Sequence, residues 1–224
     1  MFDAQSIAFV FAHPDDETFL CAALIRALAD EGRAPALLLA TKGDAGSKNG
    51  GYAGLSREAL GELREREMEQ AAKLLGLRTV AHLGYPDGKL SAVNEEEFTG
   101  RVVAFLNEHR AEIVVTFPEN GGNGHPDHIA ISAIATGAVQ SGFCPSVRRL
   151  YYVAAGEDGR AADLRIDTEP FWDVKAAALR AHDSQILAIQ RYFGPLDRFP
   201  ELRRFESFTL AWDRDTGQES ERGS

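Results

Sequence analysis

Residues 7–17 read IAFVFAHPDDE, and the change of character inside this stretch points to the fold. Five apolar residues, Ile7–Phe11, make a run of strand length without polar alternation, as in a strand buried on both faces. The chain then sets His13, Pro14, Asp15, Asp16 and Glu17 at one turn, and a helical pattern follows over 17–31. A buried strand that ends in a polar turn and feeds a helix is the opening of a βαβ unit.

The same grammar continues outward. Apolar runs at 36–40 and 113–117 read as further buried strands, with weaker ones at 79–83, 149–154 and 207–212. Helical periodicity covers 57–75, 95–109, 126–140 and 171–189. This order predicts an α/β fold, a Rossmann-like three-layer α/β/α sandwich with a mainly parallel sheet. We expect one domain over residues 1–212 and a polar, flexible tail over 213–224. The Gly-rich segment 41–54 follows a strand at the end where open α/β sheets bind ligands, so it is expected to be a mobile loop beside the site.

Composition narrows the function. The 224 residues are 44% hydrophobic and 26% charged, a balance that fits a folded globular protein. A formal net charge of −10 argues against binding to nucleic-acid phosphates. The first residues carry no basic leader pattern and no apolar stretch long enough to span a bilayer, so a cytoplasmic protein without a membrane span is expected. Cys21 and Cys144 form no recognisable pairing motif and read as reduced thiols.

The turn after the first strand raises an electrostatic problem, because three carboxylates meet one histidine. A cation would relieve it. Pro14 suits the first turn of a helix, which would set His13 and Asp16 on one side. The grammar recurs at GHPDH, residues 124–128, after the strand at 113–117. In a parallel sheet both turns lie at the strand ends that share a crevice. His13, Asp16 and His128 therefore make a three-ligand set for Zn²⁺, one ion per chain, with a position left for water. The donor set also admits iron. Asp15 and His125 remain in the crevice without a metal bond, and Asp15 can accept a proton from water. Glu17 reads either as a complement to the helix dipole or as an outer partner of the site.

On these residues the chain resembles the LmbE-like, or PIG-L-like, zinc-dependent N-deacetylases of N-acetylglucosaminyl compounds. The anchors are AHPDDE at 12–17 and GHPDH at 124–128, supported by TKGDAG at 41–46, Arg64 and Glu67, LGYPDGKL at 83–90 and KAAALRAHDSQ at 175–185. The resemblance implies a small-molecule amino-sugar substrate, the same three ligands, and Asp15 as general base. It implies that His125, protonated, stabilises the oxyanion and that Asp127 orients His125. Arg64 would contact a substrate oxygen. Two departures stand out: Asn123 occupies a position where relatives often carry Tyr, and Asp44 one where they often carry Glu, so both enter the substrate-binding set. Lys175, His182 and Gln185 read as helix packing, His82 and His109 as ordinary, and Asp87 as a turn residue within range of the pocket. Two other functions fit the sequence, an amidase for a thiol-sugar conjugate and a non-catalytic metal or sugar binder. A homo-oligomer is compatible with it.

Overall fold

The computed structural model describes residues 4–47, 50–154 and 162–216. Seven strands form one sheet: β1 (Ile7–Phe11), β2 (Ala36–Thr41), β3 (Thr79–Tyr85), β4 (Ile113–Thr116), β5 (Arg149–Ala154), β6 (Leu164–Asp167) and β7 (Phe205–Asp213). Their order is β3-β2-β1-β4-β5-β7-β6. The first five are parallel, while β7 lies antiparallel to both β5 and β6. The expected mainly parallel sheet is present. The short edge strand β6 is not among the sequence-predicted elements, since LRID offers four residues and no clear alternation.

The helices are α1 (Asp16–Asp30), α2 (Arg57–Leu75), α3 (Glu95–Glu108), α4 (Pro126–Gln140), α5 (Trp172–Ala181) and α6 (Ile186–Phe193). Helices α1, α2 and α5 pack together, and α3 packs with α4, which also meets β1 and β4. The strands β1, β2 and β4 are buried at every residue, which is why they read as unbroken apolar runs. Strand order reverses direction between β1 and β4, and that reversal is where an open α/β sheet leaves a crevice.

Three expectations need correction. The single helix over 171–189 is two helices, because the chain leaves helical geometry at His182 (ψ 54°) and forms a 3₁₀ turn at Asp183–Gln185. Glu67 fixes that break, accepting from the Ser184 amide and hydroxyl at 2.7 Å each. Pro14 lies ahead of α1 rather than in its first turn, whereas Pro126 does begin α4. Of the segment read as a tail, Asp213 closes β7 and the Arg214 amide donates to the Arg148 carbonyl at 2.9 Å; residues 217–224 lie outside the described residues.

An ion pair ties the late elements to α1. Glu206 of β7 accepts from the amides of Ala23 and Leu24 at 3.0 Å each. Lys175 of α5 donates to Glu206 at 2.6 Å and to the Phe19 carbonyl at 3.0 Å. Phe19 is four residues back from Ala23, so the pair sits astride one rung of the α1 ladder. Both side chains are buried, and each is the other's neutralising partner. Lys175→Met is expected to destabilise the fold by about 3–5 kcal/mol, the usual cost of leaving a buried charge unpaired. Urea unfolding checks this, and an unchanged midpoint would show that the pair does not brace α1.

Candidate metal centre and active site

The site is built on the ends of β1 and β4. Beyond β1 the chain turns sharply at Asp15, whose φ of 107° places a residue with a side chain in left-handed backbone space. Such a conformation costs about 1–3 kcal/mol and persists where its surroundings impose it. Glu17 accepts the Asp15 amide at 3.2 Å. Arg64, buried in α2, donates to Asp15 Oδ2 at 3.0 Å, to the Gly43 carbonyl at 2.9 Å and to the Pro14 carbonyl. A Cβ on Gly43 would collide with the Arg64 guanidinium, which fixes glycine there. His182, fully buried, places Nε2 3.2 Å from Thr18 Oγ1 and 3.4 Å from Glu17, so it buttresses the carboxylate that holds Asp15.

The strained turn sets Asp16 against two imidazoles. Asp16 Oδ2 accepts the His13 amide at 2.8 Å and lies 3.6 Å from His13 Nδ1, while Oδ1 lies 3.4 Å from His128 Nε2. The two ring nitrogens are 3.3 Å apart. The tautomers follow from the outer partners. His128 Nδ1 faces the Gly121 carbonyl at 3.2 Å, and a carbonyl only accepts, so Nδ1 carries the proton and Nε2 presents a lone pair. His13 Nε2 faces Asp127 at 3.2 Å and Asp87 at 3.1 Å, so it too is protonated when the ring is neutral, and Nδ1 is bare. Two lone pairs and a carboxylate thus converge in a buried space. A tetrahedral Zn²⁺ with bonds of about 2.0–2.1 Å separates its ligand atoms by roughly 3.3 Å, which is the spacing of the two imidazole nitrogens, while Asp16 approaches the two rings through different oxygens.

Among the described residues, two other groupings bring one ligand atom from each residue close together, a second of His13, Asp87 and Asp127 and a third of His13, His125 and His128, and Asp16 belongs to neither. The carboxylates of the second are already occupied by backbone donors. Asp127 accepts from the amides of Gly88 at 2.7 Å and Leu90 at 3.1 Å, and Asp87 from Ala45 at 2.8 Å. They act as partners that orient His13, the second-layer arrangement common at metal-binding histidines. In the third, His125 has Nδ1 engaged by the Asp127 amide at 3.2 Å. Asp16 and His128, by contrast, line the cleft, together with Asp15 and Asn123.

Charge follows this geometry. Burial raises Asp15 to about 6, with Arg64 opposing the rise. Burial also works against ionised Asp16, but His128 and His13 overcome it and hold the carboxyl far below the usual carboxylate range. His13 is pushed down by burial and more strongly up by Asp127, Asp16 and Asp87, so it ends well above an ordinary histidine. Asp87 falls to about 2, with burial opposing the hydrogen bond to His13 that lowers it.

Several expected roles are placed differently by these contacts. Asp127 does not turn its carboxylate to His125; it serves His13, and only its amide reaches His125. Burial, then His13 and His128, lowers His125 below the ordinary histidine value. With Nδ1 accepting, His125 is a neutral ring carrying its proton on Nε2, rather than the imidazolium expected. Arg64 makes its contacts to the protein's own backbone and Asp15, not to an open cleft. Asp44 sits outside the cleft lining, accepting from Arg57 at 2.8 Å and from the Asp87 amide at 3.2 Å. Asn123 does line the cleft and accepts the His125 amide at 3.0 Å. Loop 41–54 is anchored at Gly43, Asp44 and Ala45 by these bonds and at the Ser47 carbonyl by Gln185 Nε2 at 3.4 Å, and residues 48 and 49 lie outside the described residues. Asp87 and the Gly121 carbonyl are the participants that sequence reasoning underrated or missed. LGYPDGKL marks a turn, but nothing in it says that the turn meets His13.

A Rossmann-like α/β protein with a histidine and aspartate centre at its switch point is the class these features define. The chain belongs to the PIG-L family, described as GlcNAc-PI de-N-acetylase, whose model matches residues 8–139. It is 30% identical to a 1D-myo-inositol 2-acetamido-2-deoxy-alpha-D-glucopyranoside deacetylase of Saccharomonospora viridis, covering 80% of this chain and 84% of that one. It is 28% identical to a probable N-acetyl-alpha-D-glucosaminyl L-malate deacetylase 2 of Bacillus cereus, covering 93% and 94%. The crystal structure of a conserved protein from Thermus thermophilus superposes with a TM-score of 0.69 at 27% identity, over 92% of this chain and 94% of that one. Among the described residues no helix is long and apolar enough to cross a membrane.

Arg64→Met leaves the Asp15 carboxyl and two carbonyls without their donor. We expect a loss of about 3–5 kcal/mol in urea unfolding, and a loss under about 1 kcal/mol would show that Arg64 does not impose the turn.

Proposed function

We propose that the chain is a metal-dependent N-deacetylase that hydrolyses the acetamide of an N-acetylglucosamine-containing small molecule. The observation that carries this is the pair of imidazole lone pairs facing each other beside the Asp16 carboxylate, with a second carboxyl, Asp15, free of that set and open to the cleft. The named activities of the relatives in Saccharomonospora viridis and Bacillus cereus support the same reading. Zinc, one ion per chain, is the ion proposed for His13, Asp16 and His128. A single domain that runs through β7 to at least Arg214 is part of this proposal, as is a place in the cytoplasm, which rests on the sequence alone.

Bound zinc supplies Lewis-acid polarisation of a carbonyl and lowers the pKa of water to about 7. The chain's own residues do the rest. Asp15 accepts a proton from the attacking water, and its raised pKa lets it later return that proton to the departing amine nitrogen. His125, through Nε2–H, donates a hydrogen bond to the oxygen that gains charge as the water oxygen joins the acetyl carbon. A neutral imidazole can do this without being a cation, as donors aimed at developing charge do elsewhere. The C–N bond then breaks, leaving acetate and a free amine. Asp127 and Asp87 keep the His13 ring in place.

The test is amine release from a panel of N-acetylated glucosaminides, before and after chelation and zinc reloading. Activity lost to chelator and restored by zinc is expected, while zinc bound stoichiometrically with no amine released would favour a binding protein. Asp15 must be ionised to act, so kcat/KM rises with pH as its carboxyl deprotonates. A neighbouring divalent cation lowers the free value of about 6, so the limb due to Asp15 falls at or below that pH, apart from any limb at about 7 from water acidified by zinc; a profile that stays flat on acidification through the ordinary carboxylate range would contradict the assignment. His125→Ala should reduce turnover by about 10² to 10³ with zinc retained, and near-normal turnover would remove His125 from the reaction.

A further inference from the structure

The cleft, about 490 Å³ in volume, has a second wall that the hydrolysis does not use. It is formed by Phe19 of α1, Tyr192 and Phe193 of α6, and Leu202, Arg203 and Phe205 just before and within β7. The Phe19 ring lies 5.5 Å from that of Tyr192 and 5.3 Å from that of Phe193. The Arg203 guanidinium stands 4.2 Å over the Tyr192 ring. Apolar side chains of this size are costly to leave in water when they cluster, yet Tyr192 is 41% exposed, Phe205 43% and Leu202 96%.

Charge on this wall is uneven. Lys175 and Glu206 at its base neutralise each other at 2.6 Å. Arg204, next in sequence, is held by Asp167 at 2.9 Å and Glu169 at 2.5 Å. Arg203 has no carboxylate partner among the described residues. Exposed aromatic side chains beside a guanidinium that no carboxylate answers favour a flat apolar group that carries an anion.

We infer that this wall is the subsite for the group attached to the acetamido sugar, and that the group is an apolar ring bearing a carboxylate or similar anion. This rests on the proposed deacetylase activity. It differs from the inositol and malate named for the relatives, because a polyol leaves Arg203 unanswered and malate offers no ring.

Four N-acetylglucosaminides test it, with phenyl, 4-carboxyphenyl, inositol and malate as the attached group. Their kcat/KM values are compared within each variant, so that loss of folded enzyme cancels. We expect the 4-carboxyphenyl compound to exceed the phenyl one by about tenfold, the low end for a hydrogen bond to a charged group. That ratio should fall to about one in Arg203→Gln. In Tyr192→Ala the ratio of phenyl to inositol should fall. An inositol or malate compound that is best in the wild type, or a carboxylate advantage that survives Arg203→Gln, would overturn the inference. If none of the four releases amine, the deacetylase reading fails by itself. Calorimetric binding of the four free-amine glucosaminides then decides the subsite: the same ranking upholds it and equal affinities reject it.

Discussion

Two imidazoles that point unprotonated nitrogens at each other across 3.3 Å, with a carboxylate beside them, form an arrangement that neutral protein groups alone do not stabilise. Each tautomer is fixed from outside, one by the Gly121 carbonyl and the other by the carboxylates of Asp127 and Asp87. Without an ion, His13 resolves the conflict by holding a proton well above its usual range. A divalent cation held by the same three side chains, as proposed, would remove the conflict without that proton. Much of the surrounding architecture serves to keep that conflict in place.

The cost of doing so is visible in the backbone. Asp15 occupies left-handed space so that Asp16 can begin α1 facing inward, and the turn is clamped by Arg64 from one side and by Glu17, backed by His182, from the other. The same clamp separates two adjacent carboxyls by environment. Asp16, next to two imidazoles, stays ionised, while Asp15, half-buried at the cleft with Arg64 as its main counterweight, rises to about 6. Neighbouring residues of the same type thereby have pKa values shifted in opposite directions, which is what the proposed division between metal binding and proton transfer requires.

The fold was largely legible because its signals are local. Buried parallel strands read as apolar runs, and the two HPD turns announce themselves at strand ends. The clustering of the site side chains is legible for the same reason, since His13 with Asp16 and His125 with His128 each lie within one turn. What the sequence hid is contact between distant segments. That Asp127 serves His13 rather than its neighbour His125 depends on how α4 sits against β1, and that Asp87 joins it depends on the turn after β3. The break at His182 is likewise set from afar, by Glu67 on α2. Arg64 looked like a substrate contact because its spacing says nothing about which way a buried guanidinium turns.

The central claim is that one divalent ion sits on the cleft side of His13, on Nδ1, and not on the side of Asp87 and Asp127. Anomalous scattering at the zinc edge from crystals of the zinc-loaded protein measures this directly. A single peak about 2.0–2.1 Å from His13 Nδ1 and His128 Nε2, with Asp16 in the same shell, is the predicted result. A peak on His13 Nε2 between Asp87 and Asp127, or none between the ends of β1 and β4, would contradict it.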